Sequence, residues 1–151
     1  MSAGKYLVYL TIVSTYALIV WGAYLTAGDW GGACGTGSAS AWPACNGSFA
    51  IPSGWAALVE YIHRTLSILA TVLLLISTIV VSRMKPRQTG ATLALVLSFG
   101  LLIVQILLGA VVVNTNLNAV ITALHLANAT ALFGVMVVAA VLIHQRERGA
   151  A

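Results

Sequence analysis

Three side chains able to do chemistry fall within five positions of one another: Glu60, His63 and Arg64, in "WAALVEYIHRTLSILATVLLL". If the segment is helical, their i, i+3 and i, i+4 spacing puts them on one face. A carboxylate there can move a proton and an imidazole can ligate a metal. A guanidinium can neutralise Glu60 along the helix, or it can bind an acidic group of a ligand through paired hydrogen bonds. A second imidazole, His125, stands in a separate apolar stretch, "ALHLANA". His144, beside "QRER", reads as an anchor at a membrane surface.

These residues sit in an unusually apolar chain. Of 151 residues, 60% are hydrophobic and 7% charged, against about 25% charged in soluble domains. So few charges cannot cover a water-soluble surface, and the chain reads as an integral membrane protein. A span needs about 20 apolar residues, and four segments qualify: 6–27, 54–81, 90–113 and 119–144. The first is too long, and lacks the small-residue cleavage site, for a removed signal peptide. Lys5, the group Arg83, Lys85 and Arg87, and the pair Arg146 and Arg148 all fall on one side of a four-span chain. By the positive-inside rule that side is the cytoplasm. The expected fold is an all-α membrane protein, an antiparallel four-transmembrane-helix bundle with cytoplasmic N and C termini, residues 1–151 forming one domain. The net charge of +4 is then a topology signal, and no nucleic-acid partner is implied.

On this topology the outer face carries the loop 28–53 and the turn "NTNLN" at Asn114–Asn118. Charge inside a span costs about 2.5–3.5 kcal/mol at the bilayer centre and less near the ends; Glu60, His63 and Arg64 lie near the outer end. His63 and His125 fall at similar depth, about 9–12 Å below the outer surface at about 1.5 Å per residue. Two imidazoles at one depth on separate helices can serve as the axial ligands of a haem iron, or each can be a polar residue hydrogen-bonded within the bundle. Zinc would want three or four ligands, and Glu60 alone is at hand to join the pair. The absence of Cys-x-x-Cys-His excludes covalent c-type attachment. If haem is the ligand, Arg64 would meet a propionate and Glu60 would lie free beside the porphyrin edge as a base. Gln105 is expected to make interhelical hydrogen bonds.

The two hairpins echo each other. Helix 1 ends in "IVWGAYLT" and helix 3 in "ILLGAVVV", and the following helix carries a histidine in each case. Gly22 and Gly109 either let backbones approach closely or open a flat space for a planar ligand. Cys34 and Cys45, both in the outer loop, are either a pair of free thiols or a bridge worth about 3 kcal/mol. The Gly, Pro and Trp content of "GGACGTGSASAWPACNG" suggests a folded cap over the bundle.

The string "GAYLTAG…CG…WPACNG…P…VEYIHR" resembles the first half of the haem A synthase family, and "QILLGAVVV…ALHLANA" resembles that family's Gln-x-x-Leu-Gly motif and the His-Leu of its fourth helix. The resemblance covers nearly the whole chain. It implies haem bound by His63 and His125 and oxidation of the methyl group of haem O, through hydroxylated intermediates, to the formyl group of haem A. Haem B would be the cofactor, Glu60 the catalytic carboxylate, and Cys34 and Cys45 the loop's cysteine pair. Arg64, Gly22 and Gly109 would line the haem. The site would lie near the outer face of the cell membrane. Members of that family have eight helices in two bundles. Here one bundle is present, so a homo-oligomer, most simply a dimer, is expected, with haem O synthase or a terminal oxidase as further partners. The cysteines are spaced more widely than in the family pattern, by an insertion around "TGSASA" that leaves Trp-Pro-x-Cys intact. Two other functions compete: a b-type electron-transfer cytochrome, and a transporter using Glu60 and His63 as a proton relay.

Overall fold

The computed structural model describes residues 3–38 and 42–149, so the end of the "TGSASA" insertion, residues 39–41, lies outside the described residues. Four helices carry the chain: α1 (Ala3–Ala27), α2 (Trp55–Ser82), α3 (Thr89–Asn114) and α4 (Ala119–Gly149). All four are long and apolar enough to cross a membrane, and the chain is an all-helical, multi-pass membrane protein. With 25 to 31 residues, each helix is about 38–46 Å long, more than the roughly 30 Å of hydrocarbon it must cross. α4 runs past His144 through the basic residues Arg146 and Arg148.

Local chemistry sets the helix ends. Gly54, at φ 101°, precedes α2; this left-handed backbone suits a residue without Cβ. Between α3 and α4 the chain reverses through Asn116 and Leu117, at φ 52° and 60°. Asn118 then caps α4, its Oδ1 accepting from the N–H groups of Val120 at 3.0 Å and Ile121 at 3.3 Å. Such a cap is worth about 1 kcal/mol.

The helices form a ring in which α1 packs on α2 and α4, and α3 on α2 and α4. Among the described residues no Cα of α2 comes within 8 Å of one in α4, so the bundle's diagonal stays open to side chains. Burial is uneven along the axis. The apolar core gathers Val8, Leu74, Leu95, Leu132, Met136 and Ile143 at the end where the chain begins and ends. Polar pairs are satisfied within it: Thr11 Oγ1 meets Ser77 Oγ at 2.8 Å, and Lys5 Nζ meets His144 Nδ1 at 3.1 Å. That second contact makes His144 a tie between α1 and α4, which its place beside a basic tail did not suggest.

At the opposite end the α1–α2 loop folds over the bundle. Cys34 and Cys45 form a disulfide with Sγ atoms 2.00 Å apart, and both residues are buried. Backbone bonds flank the bridge, from Asn46 N–H to the Cys34 carbonyl and from Cys45 N–H to the Ser48 carbonyl, each 2.9 Å. Gly37 N–H donates to the Val113 carbonyl of α3 at 3.2 Å, so the loop reaches across to the second hairpin.

Candidate functional site

His63 and His125 are both half-buried, each facing a glycine on the helix that precedes its own. A Cβ at Gly22 would lie 3.0 Å from His63 Cε1, and one at Gly109 would lie 3.3 Å from His125 Cε1. The space over each glycine is therefore taken by an imidazole edge, and the glycines set how deeply the rings sit between the helices. Beside Gly22, Trp21 Nε1 donates to the Val59 carbonyl at 3.0 Å, fixing α1 against α2 one turn from His63. The two imidazoles belong to α2 and α4, the helices of the open diagonal.

Both Nδ1 atoms are buried and lack a hydrogen-bond partner. A buried polar atom left unpaired costs about 1–3 kcal/mol, and two such atoms at matching positions mark a site built for more than packing. The surroundings of the rings differ. Neither ring nitrogen of His63 has a hydrogen bond among the described residues, whereas His125 Nε2 lies 3.0 Å from Gln105 Nε2. Gln105 Oε1 accepts from Asn128 Nδ2 at 2.7 Å, and the same Asn128 nitrogen donates to the Leu101 carbonyl at 3.0 Å. Gln105 thus bridges α3 and α4 as its sequence position suggested. Asn128 was missed, although its place three residues after His125 puts it on the same helical face.

Glu60 and Arg64 are brought together, but toward the loop. Glu60 is buried; its Oε2 accepts from the Cys34 N–H at 2.7 Å and its Oε1 is ion-paired with Arg64 Nη2. Arg64 Nη1 donates to the Ala44 carbonyl at 2.5 Å and to that of Pro43 at 3.4 Å. Tyr61 adds a bond from its hydroxyl to the Phe49 carbonyl at 3.1 Å. The first turns of α2 therefore grip both sides of the disulfide. Of the two roles open to Arg64, neutralising Glu60 is the one this geometry displays. The bond from the Cys34 N–H to Glu60 was invisible in the sequence, because nothing in residue spacing says which N–H a carboxylate will meet. Among the described residues, no three His, Cys, Asp or Glu gather within reach of one metal ion, so a zinc site built on Glu60 and the two histidines has no geometric support.

The residues fit a planar iron macrocycle. Two imidazoles stand on helices whose backbones stay apart, and each ring has a buried Nδ1 without a partner among the described residues. The Gly-His pairing recurs in both hairpins, so each half of the bundle supplies one imidazole. A model of the COX15-CtaA family, described as cytochrome oxidase assembly protein, matches residues 5–151. The chain belongs to this family. Among curated relatives, the Heme A synthase of Symbiobacterium thermophilum is 32% identical over 132 residues, covering 87% of this chain and 42% of that protein. The Heme A synthase of Bacillus pumilus is 27% identical over 143 residues, 92% of this chain and 45% of that one. The chain thus spans less than half the length of these curated relatives. No solved structure matches it.

Proposed function

We propose that this chain binds haem between His63 and His125 and takes part in haem A synthesis, oxidising the methyl group of haem O to the formyl group of haem A. The matched Gly22–His63 and Gly109–His125 pairs, one in each hairpin, carry the reading, and the family membership directs it toward haem A. When bound, haem supplies an iron centre able to take part in oxidation. The chain's own residues do the rest. His63 and His125 hold the ligand by its metal, and Gly22 and Gly109 keep the rings at depth. Glu60, one helical turn from His63, is the carboxylate nearest in sequence to either ligand. To accept a proton it would exchange the Arg64 or Cys34 contact, so the loop and the carboxylate act together. The basic residues at the other end of the bundle would face the cytoplasm, with the site toward the outer surface. A second copy of the chain would supply the second bundle of the reading; crosslinking in native membranes that yields monomer only would overturn that part.

The engagement of Glu60 favours a second reading, an electron-transfer cytochrome b that holds haem without changing it. Co-expression with a haem O source separates the two. Haem A or its hydroxylated precursor in the pigment extracted from purified protein is the expected result. Haem B alone, with haem O untouched, would favour the cytochrome, and no haem would sink both. Glu60→Gln, which keeps an acceptor for the Cys34 N–H, should leave haem bound while abolishing methyl oxidation. Loss of haem in that variant would make Glu60 structural.

A further inference from the structure

The two histidines are held differently, and the difference has a direction. A backbone carbonyl can only accept, so the atom of Asn128 that faces the Leu101 carbonyl at 3.0 Å must be its NH2. The same NH2 lies 2.7 Å from Gln105, which must therefore present its carbonyl oxygen there. The Gln105 NH2 is then left to face His125 Nε2 at 3.0 Å. A donor facing Nε2 requires Nε2 to accept, and a neutral imidazole that accepts at Nε2 carries its proton on Nδ1. Three side-chain assignments that are ordinarily ambiguous are thus determined by one carbonyl of α3. Among the described residues no such chain reaches His63, whose Nδ1 is buried without a partner there.

We infer that the relay Leu101 carbonyl–Asn128–Gln105 holds His125 as the Nδ1–H tautomer and covers its Nε2 lone pair, making His125 the gated ligand of the pair and His63 the open one. The gating half rests on the haem-binding reading above; the tautomer does not. The relay selects the tautomer whose Nε2 is available to a metal, and it protects that nitrogen until a metal competes for it. His63 then ligates first. Gln105 must withdraw its amide before His125 can follow. Gln105 and Asn128 are positioning residues, acting through His125.

The test uses the full chain, purified free of haem, with histidine labelled by 15N; His63→Ala and His144→Ala assign the spectrum. His125 should carry its proton on Nδ1. Asn128→Asp, nearly isosteric, replaces the NH2 with an acceptor. Gln105 should then turn its NH2 toward the new carboxylate and its oxygen toward His125, moving the proton to Nε2. A proton on Nε2 in the unaltered chain, or a tautomer that Asn128→Asp does not change, overturns the inference. Rapid mixing with ferric haem B reads the gate, as a high-spin species ligated by one histidine that gives way to a low-spin species ligated by two. Gln105→Leu removes one hydrogen bond from His125 and should speed the second step about tenfold, while Asn128→Asp should slow it. Equal rates in all three proteins overturn the gate. A chain that takes up no haem overturns the functional reading and the gate together, and leaves the tautomer result standing.

Discussion

The α1–α2 hairpin and the α3–α4 hairpin solve one problem with the same backbone and different polar chemistry. In each, a glycine on the first helix receives the imidazole of the second, with a would-be Cβ at 3.0 Å from the ring in one and 3.3 Å in the other. Around His63 the polar groups are charged and turn away from the ring, Glu60 and Arg64 gripping the disulfide loop. Around His125 they are neutral amides, Gln105 meeting the ring and Asn128 meeting Gln105. A charged clamp tolerates the α2 end because the loop offers backbone donors and acceptors there. The α3–α4 turn, "NTNLN", is too short to fold back over its own helices, so polar groups in that hairpin must satisfy one another. The repeated part of the molecule places the two imidazoles, and the unrepeated part decides how each is held.

The largest effect expected is from removing a ligand. His63→Ala should abolish haem retention, whereas His125→Ala should keep a weakly held, high-spin haem, since His63 is the ring with no hydrogen bond to break among the described residues. Absorption spectra of the two purified variants check this, and identical spectra would erase the distinction between the hairpins.

Next comes the clamp. Replacing both Cys34 and Cys45 by Ser should cost about 2–4 kcal/mol, seen as a lower Tm. Glu60→Ala should cost about 1.5–3 kcal/mol, the worth of a hydrogen bond to a charged group. The two changes should add to less than their sum, because the Cys34 N–H bonds to Glu60. Full additivity would mean that loop and carboxylate are independent.

The smallest effect separates the glycines. Gly22→Ala drives a methyl to 3.0 Å from His63 Cε1, an overpacking that costs about 1–3 kcal/mol against a helix-propensity gain of about 1 kcal/mol. At Gly109 the approach is 3.3 Å and the gain should nearly cancel the cost. Thermal unfolding of the two variants should therefore show a loss for Gly22→Ala and little change for Gly109→Ala; equal losses would mean the rings are equally confined. Haem removal should lower the Tm of the unaltered chain, since ligation satisfies the bundle, and an unchanged Tm would argue against that coupling.

How much of this was legible beforehand follows from what each feature depends on. Four spans, the echo of Gly22 and Gly109, and the pairing of His63 with His125 depend on hydropathy and spacing along one chain, which residue order states directly. Membership of the haem A synthase family is likewise carried by local strings such as "VEYIHR" and "WPAC". Tertiary structure alone decided that Glu60 meets the Cys34 N–H, that Arg64 turns to the Ala44 carbonyl, that Lys5 ties to His144, and that Asn128 aims Gln105 at His125. These are contacts between segments far apart in sequence, selected by how the helices rotate against one another and how the loop closes through its disulfide. A side chain's type limits the bonds it can make, and only the packed bundle chooses which partner comes within 3 Å.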